Sequence, residues 1–232
     1  MGQTRHVFET TIEKKVSLQY LLYLPKGYGE KPGEKWPLVL FLHGMGERGS
    51  DLDLVKKHGI PKVVMKRQEF PFVAVSPQCP METTWPGLTE ELYALIVDVM
   101  RKYKVDESRV YLTGLSMGGY GAWYLASAYP KLFAAVVPIC GGMMRDAGFQ
   151  DRINALKRIP TWIFHGEKDE AVPVQNSKDI FDALKKVRGR VKLTLYPDLS
   201  HDSWTRTYDN PELYEWLLKQ KRKRKNVIWP KK

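Results

Sequence analysis

Cysteine is scarce: Cys79 and Cys140 are the only 2 in 232 residues. Two thiols so far apart in sequence exclude a disulfide framework and a cysteine-rich metal site, and they read as buried thiols in a reducing compartment. Long apolar runs are missing too. No window approaches the ~20 apolar residues that a membrane span requires, so no membrane insertion is expected. Residues 1–15 alternate polar and apolar side chains with no apolar h-region, which gives no secretory leader and leaves a cytoplasmic location as the expectation. Acidic residues are absent from 219–232, where Lys219, Lys221, Arg222, Lys223, Arg224, Lys225, Lys231 and Lys232 carry most of a net charge of +11. The rest of the chain is only mildly basic. Such a tail is more often a solvated extension than a phosphate-binding element, and no nucleic-acid partner is expected.

What is present suits one α/β domain. A hydrophobic content of 43% against 27% charged is that of an ordinary globular protein, long enough to cover a sheet on both faces. The division expected is a single catalytic domain over 1–220 followed by a basic tail over 221–232. Oligomeric state is not legible.

The stretch from 110 to 121 reads Val-Tyr-Leu-Thr-Gly-Leu-Ser-Met-Gly-Gly-Tyr-Gly. Residues 110–112 suit a buried strand and 121–128 a small-residue helix, so Gly114, Ser116 and Gly118 form a GxSxG turn between them. In that context the pattern is a nucleophile elbow: a strained turn presents the Ser116 hydroxyl at its tip, and the glycines let strand and helix approach.

Along the chain, 6–12 and 16–24 are period-two runs joined by 13–15, which suggests an N-terminal antiparallel hairpin. Continuous apolar runs at 37–42, 72–76, 133–139, 161–166 and 191–195 suit strands covered on both faces, hence a mostly parallel sheet of about eight strands. Helices are expected at 89–103, with Leu92, Leu95, Ile96, Val99 and Tyr103 on one face, at 174–187 and at 211–219. A short helical segment over 52–68 is expected to break at Gly59-Ile60-Pro61. The connection 143–158 leaves no room for a large lid.

Loops that follow parallel strands gather on one rim, and the informative residues fall there. The run His43-Gly44-Met45-Gly46-Glu47-Arg48-Gly49 follows the 37–42 strand. It suits an oxyanion loop, with the amides of Met45 and Met117 as the two donors. Glu47, Arg48 and Asp51 read as a local ion-pair and capping set, and His43 as a packing residue. Asp169 follows the 161–166 strand and His201 the 191–195 strand, which gives the order serine, acid, histidine. A serine hydroxyl needs a neutral imidazole to take its proton and a carboxylate to orient that imidazole. Ser116, His201 and Asp169 are assigned those roles. Glu167 and Glu170 are the rivals to Asp169; Asp198 and Asp202 lie too close to His201 in sequence to face its ring. His165 reads as a loop-fixing histidine, while His6 and His58 have no assigned part. Trp85 and Trp204 are candidates for the substrate pocket.

With these residues in view, the chain resembles an α/β-hydrolase, similar over almost its whole length to small bacterial carboxylesterases of the dienelactone-hydrolase-like and "predicted peptidase" (phospholipase/carboxylesterase) group. The resemblance rests on Leu42 to Gly49, Gly114 to Gly119, Phe164 to Asp169 with Val172-Pro173, and Ser200 to Trp204. It implies Ser116, Asp169 and His201 as triad, Met45 and Met117 as amide donors, no metal or organic cofactor, and a small-molecule ester as substrate. Dienelactone hydrolases use cysteine where this chain has serine, so their substrate does not transfer. The expected activity is hydrolysis of short-chain carboxylic esters through an acyl-enzyme. The alternatives are a serine peptidase of the prolyl-oligopeptidase type and a non-catalytic ligand receptor of the same fold.

Overall fold

The computed structural model describes residues 3–11, 13–67 and 69–223. Most of the expected basic tail, 224–232, lies outside the described residues. Seven strands form one sheet: β1 (Tyr20–Tyr23), β2 (Trp36–Leu42), β3 (Val73–Pro77), β4 (Val105–Leu115), β5 (Ala135–Ile139), β6 (Thr161–Gly166) and β7 (Val191–Tyr196). Their order is β1-β3-β2-β4-β5-β6-β7, and only β1, paired with β3, is antiparallel. The expected hairpin does not form. Residues 6–11 and 13–19 carry no strand, and Tyr20–Tyr23 pairs with β3 instead of with them. A polar link such as Glu13-Lys14-Lys15 supplies no turn chemistry to close a tight hairpin, whereas β3 offers the 20–23 run a buried neighbour.

Each central strand is apolar on both sides because both faces are covered. In β2, Leu38, Leu40 and Leu42 face one core with Leu112, Trp123 and Val136, while Val39 and Phe41 face the other with Tyr111, Phe164 and Tyr208. The first core is closed by α2 (Thr89–Lys102), α3 (Met117–Ala128), α4 (Phe149–Leu156) and α5 (Gln175–Lys186). The second is closed by α1 (Gly59–Lys66), α6 (Trp204–Asp209) and α7 (Pro211–Lys219). In α2, Leu92, Leu95, Ile96 and Val99 are all buried, as their spacing requires.

The 52–68 segment breaks as expected: a 3-10 helix over Leu52–Lys57 ends at His58, and Gly59, at φ +61°, opens α1 with Pro61 inside its first turn. Proline is tolerated in a first helical turn, where its missing N–H has no partner to lose. The connection between β5 and β6 is filled by α4, whose Ile153 and Leu156 are fully buried against the first core. After α7, the Arg222 amide donates to the Ser108 carbonyl at 2.9 Å and its guanidinium to the Glu107 carbonyl at 2.9 Å. The start of the basic stretch is thereby tied to the sheet.

Parallel register sets the position of the site. Leu42 pairs with Gly114, Leu115 with Ile139 and Gly166 with Tyr196, so β2, β4, β5, β6 and β7 end on a common rim. The direction of strand succession reverses beside β4, where an open parallel sheet leaves a crevice.

Candidate functional site

Ser116 stands between β4 and α3 with φ +52° and ψ −118°. A residue with a Cβ pays about 1–3 kcal/mol for such a conformation, which persists only where its surroundings hold it. Here the Ser116 amide donates to the Ile139 carbonyl at 2.9 Å, and its carbonyl accepts from the Tyr120 amide at 3.1 Å. Gly118 admits this turn. A Cβ there would collide with the Leu42 carbonyl, and one on Gly114 would collide with the Gly118 carbonyl. α3 begins at Met117, four residues earlier than the small-residue pattern suggested, because the glycines that weaken helix propensity are required by the closeness of β2.

The Ser116 Oγ lies 2.9 Å from His201 Nε2, and His201 Nδ1 lies 2.7 Å from Asp169 Oδ2. A carboxylate can only accept, so Nδ1 carries the proton and the neutral ring leaves Nε2 free to accept from the serine hydroxyl. The Asp169 side chain is wholly buried. Its Oδ1 accepts from the amides of Ala171 at 3.0 Å and Val172 at 2.8 Å. His201 reaches it because the Leu199 and Ser200 carbonyls cross directly over Gly166, where any Cβ would strike them.

The rivals to Asp169 are spent elsewhere. Glu167 and Glu170 are exposed. Asp198 forms two hydrogen bonds with the Arg206 guanidinium at 2.8 and 2.6 Å, and these hold its carboxyl down at about 2. Asp202 accepts from the Thr205 amide and hydroxyl at the start of α6.

His165 has more to do than fix a loop. Its Nδ1 lies 2.7 Å from the Ser177 hydroxyl, and its Nε2 lies 2.8 Å from the Val172 carbonyl and 3.1 Å from Asp169 Oδ2. A proton on Nε2 serves both oxygens, with Nδ1 accepting from Ser177. Burial pushes the His165 pKa down, against the opposing pull of the Val172 carbonyl and Asp169. Its position four residues before Asp169 is the signal that sequence reading could have used.

The loop after β2 is rigidly held. His43 Nε2 accepts from the Cys79 amide at 3.0 Å, so Nδ1 carries the proton and donates to the Gly44 carbonyl at 2.6 Å. Burial lowers the His43 pKa to about 4, keeping the ring neutral. Of the expected ion-pair and capping set, the capping is present, with Asp51 at the start of the 3-10 helix Leu52–Lys57, while Arg48 pairs with neither acid. Arg48 donates to the carbonyls of Met45, Met81 and Thr83, and Asp51 accepts from the Asp53 amide. Glu47 is buried, with its carboxylate oxygens 3.9 Å from His43 and 3.9 Å from His58. Met45 opens the short 3-10 turn Met45–Glu47, and Met117 opens α3. A first-turn amide has no partner within its own helix.

Trp85 is not at a pocket wall. It is fully buried, donates its indole N–H to the His43 carbonyl at 2.9 Å and packs edge-on to the His43 ring. A large apolar side chain in a strand-end loop is drawn into the core before it is left to line a crevice. Trp204 is half-buried, with its ring 5.2 Å from that of His201 and perpendicular to it.

Cys140 Sγ lies near the same pair, within 4.8 Å of ligand atoms of Asp169 and His201. Burial pushes that thiol up to about 12, so it is protonated at neutral pH, while Asp169 and His201 use their facing atoms on each other. This is poor chemistry for a metal. A larger groove of about 740 Å³ lies at the β1 edge against α1, lined by residues such as Leu22, Ile60, Val64 and Met65, and contains none of these groups. Among the described residues no helix is long and apolar enough to cross a membrane.

Comparison with known proteins adds a family. A model of the phospholipase/carboxylesterase family matches residues 61–210. A solved structure described as a thermostable esterase superposes with a TM-score of 0.74 at 36% identity, over 88% of this chain and 60% of that one. A bifunctional acetylxylan esterase/xylanase of Neocallimastix patriciarum is 30% identical over 122 residues, 52% of this chain and 17% of that protein. A probable feruloyl esterase C of Aspergillus terreus is 26% identical over 178 residues, 74% of this chain and 62% of that protein. The chain thus spans less than two thirds of the length of each of these relatives.

Proposed function

The chain belongs to the phospholipase/carboxylesterase family of α/β-hydrolases, and from that premise we propose that it hydrolyses carboxylic esters of small acyl groups by serine catalysis through an acyl-enzyme. The observation that carries the proposal is the continuous line Ser116 Oγ, His201 Nε2, His201 Nδ1, Asp169 Oδ2, with links of 2.9 and 2.7 Å, ending on a strained turn.

In this mechanism Ser116 Oγ attacks the ester carbonyl while its proton passes to His201 Nε2. The imidazolium so formed is stabilised by Asp169, whose buried carboxylate is already satisfied on its other oxygen by two amides. The negative oxygen of the tetrahedral intermediate accepts from the amides of Met45 and Met117, each at the positive end of a helical turn. Collapse expels the alcohol, which takes the proton from Nε2. Water, deprotonated by the same nitrogen, then releases the acid. Preference for small acyl groups is supported by α4, which docks on the core where a lid would lie, and by the acetyl ester named for one relative.

The test is nitrophenol release from an acetate-to-palmitate series by wild type and Ser116→Ala. Turnover favouring the short esters, lost by about 10⁴ in the variant, is the expected result. Equal rates for the two proteins would overturn the assignment. Silence on esters with cleavage of peptide anilides would favour a peptidase, and silence on both a receptor.

A further inference from the structure

His58 lies outside the hydrolytic line described above, yet three contacts tie it to the imidazole of His201. First, His58 Nδ1 is 3.4 Å from Trp204 Nε1, an N–H that can only donate, so Nδ1 is the acceptor and Nε2 carries the ring proton. Second, the protonated Nε2 faces the Glu47 carboxylate at 3.9 Å. Third, Trp204 stands edge-on to both rings, 5.5 Å from His58 at 67° and 5.2 Å from His201 at 89° by ring centroids and planes.

The backbone explains why these groups meet. His58 is the residue before α1 and Trp204 is the first of α6, two helices on the same side of the sheet that pack against each other. Glu47 closes the 3-10 turn that Met45 opens. A row of side chains therefore runs from the loop after β2, through the start of α1 and the start of α6, to the loop after β7. It links the amide of Met45 to the ring of His201.

Trp204 stands against the flank of His201. Its Nδ1 is pinned by Asp169, but a single hydrogen bond leaves the ring free to rock about that axis, and Nε2 must point at Ser116 to within a few tenths of an ångström to take its proton. A perpendicular aromatic ring is a directional neighbour, favoured over other orientations by the ring quadrupoles. Trp204 packs against the second core, and an anchored N–H fixes how its ring is turned there. His58 supplies that anchor, and Glu47 faces the other side of His58.

We propose that Trp204, anchored by His58 with Glu47 behind it, is a positioning residue that fixes the His201 imidazole and keeps it in register with the Met45 loop. The inference rests on the serine-esterase reading. It predicts that Trp204→Phe, which keeps a ring and loses the N–H, and His58→Ala each lower kcat by roughly tenfold with KM nearly unchanged. The double variant should be no slower than the slower single, because both remove one link. His58→Asn, which retains an acceptor at similar reach, should recover most of the rate lost in His58→Ala.

The experiment measures kcat and KM on nitrophenyl acetate for these four proteins and wild type, below the melting temperature of the least stable. It also records the low-field His201 Nδ1 proton resonance of each in the absence of substrate. Reduced kcat, non-additive losses and a broadened resonance in His58→Ala and Trp204→Phe would support the strut. Unchanged kcat in both singles, or losses that multiply in the double, would overturn it. If wild type itself turns over no ester, the esterase reading fails, and the resonance alone decides whether Trp204 and His58 order the ring.

Discussion

Asp169 Oδ2 faces two histidines, His201 Nδ1 at 2.7 Å and His165 Nε2 at 3.1 Å, and its other oxygen takes two backbone amides. A carboxylate with four donors around it and no solvent contact is held in place, since a buried charge is tolerable only where hydrogen bonds replace its lost hydration. His165 can give that support without competing for the proton, because burial keeps it neutral.

The first prediction follows from that sharing. His165→Leu removes a donor from Asp169 and leaves the Ser177 hydroxyl and Val172 carbonyl without their ring partner, which should cost about 1–3 kcal/mol of stability. It should also slow ester turnover by roughly tenfold, equivalent to about 1.4 kcal/mol of transition-state stabilisation. His165→Gln, which can still donate, should lose less of both. Urea denaturation and steady-state kinetics on the two variants check this; equal behaviour would show that the donor is immaterial.

The line from Ser116 to His201 and Asp169 was legible because each member sits in the loop that follows an apolar run, and apolar runs fix the rim. The strands and α2 were legible for the same reason: burial on both faces or on one stripe writes a strong period. The failures share a different cause. The hairpin at 6–24 had the right alternation, but alternation does not say which strand is the partner, and β3 took 20–23. Trp85 and His58 depend on contacts with residues far away in sequence, His43 at 42 positions and Trp204 at 146, which no local pattern encodes.

Stability should fall as acid is added, and His43 supplies one identifiable part. Its folded pKa of about 4 lies below the ordinary imidazole value of 6.5. Between those values the unfolded chain holds a proton that the native protein excludes, so the contribution is complete above 6.5, declines as the pH falls and is exhausted below about 4. The span corresponds to an upper bound of order 3 kcal/mol. His165 is shifted in the same direction and adds to it. Thermal melts of wild type and His43→Asn between pH 7 and pH 4 should show a lower melting temperature for the variant at pH 7 and a shallower decline toward pH 4.

Both thiols should be silent in the native protein. Cys79 and Cys140 are fully buried, and burial pushes them to about 11 and about 12, so almost no thiolate exists at neutral pH and none is accessible. An aromatic disulfide reagent should therefore release no chromophore at pH 8 until denaturant is added, and then the equivalent of both cysteines. Prompt reaction of one thiol without denaturant would mean that the β5 end, where Cys140 lies beside Asp169 and His201, opens readily.

Trp85 offers a test of support against contact. A pocket-wall tryptophan would change KM when trimmed, and mainly for bulky esters. A buried one that donates to the His43 carbonyl should instead act through the loop that His43 and Met45 share. Trp85→Phe keeps most of the volume and loses the indole N–H, leaving the buried His43 carbonyl short of its donor at a cost of about 1–3 kcal/mol. We expect kcat to fall with every ester by a similar factor, KM to hold, and the melting temperature to drop. A chain-length series measured on this variant separates the two roles, since a loss confined to long acyl groups would return Trp85 to the pocket and a uniform loss keeps it beneath the oxyanion loop.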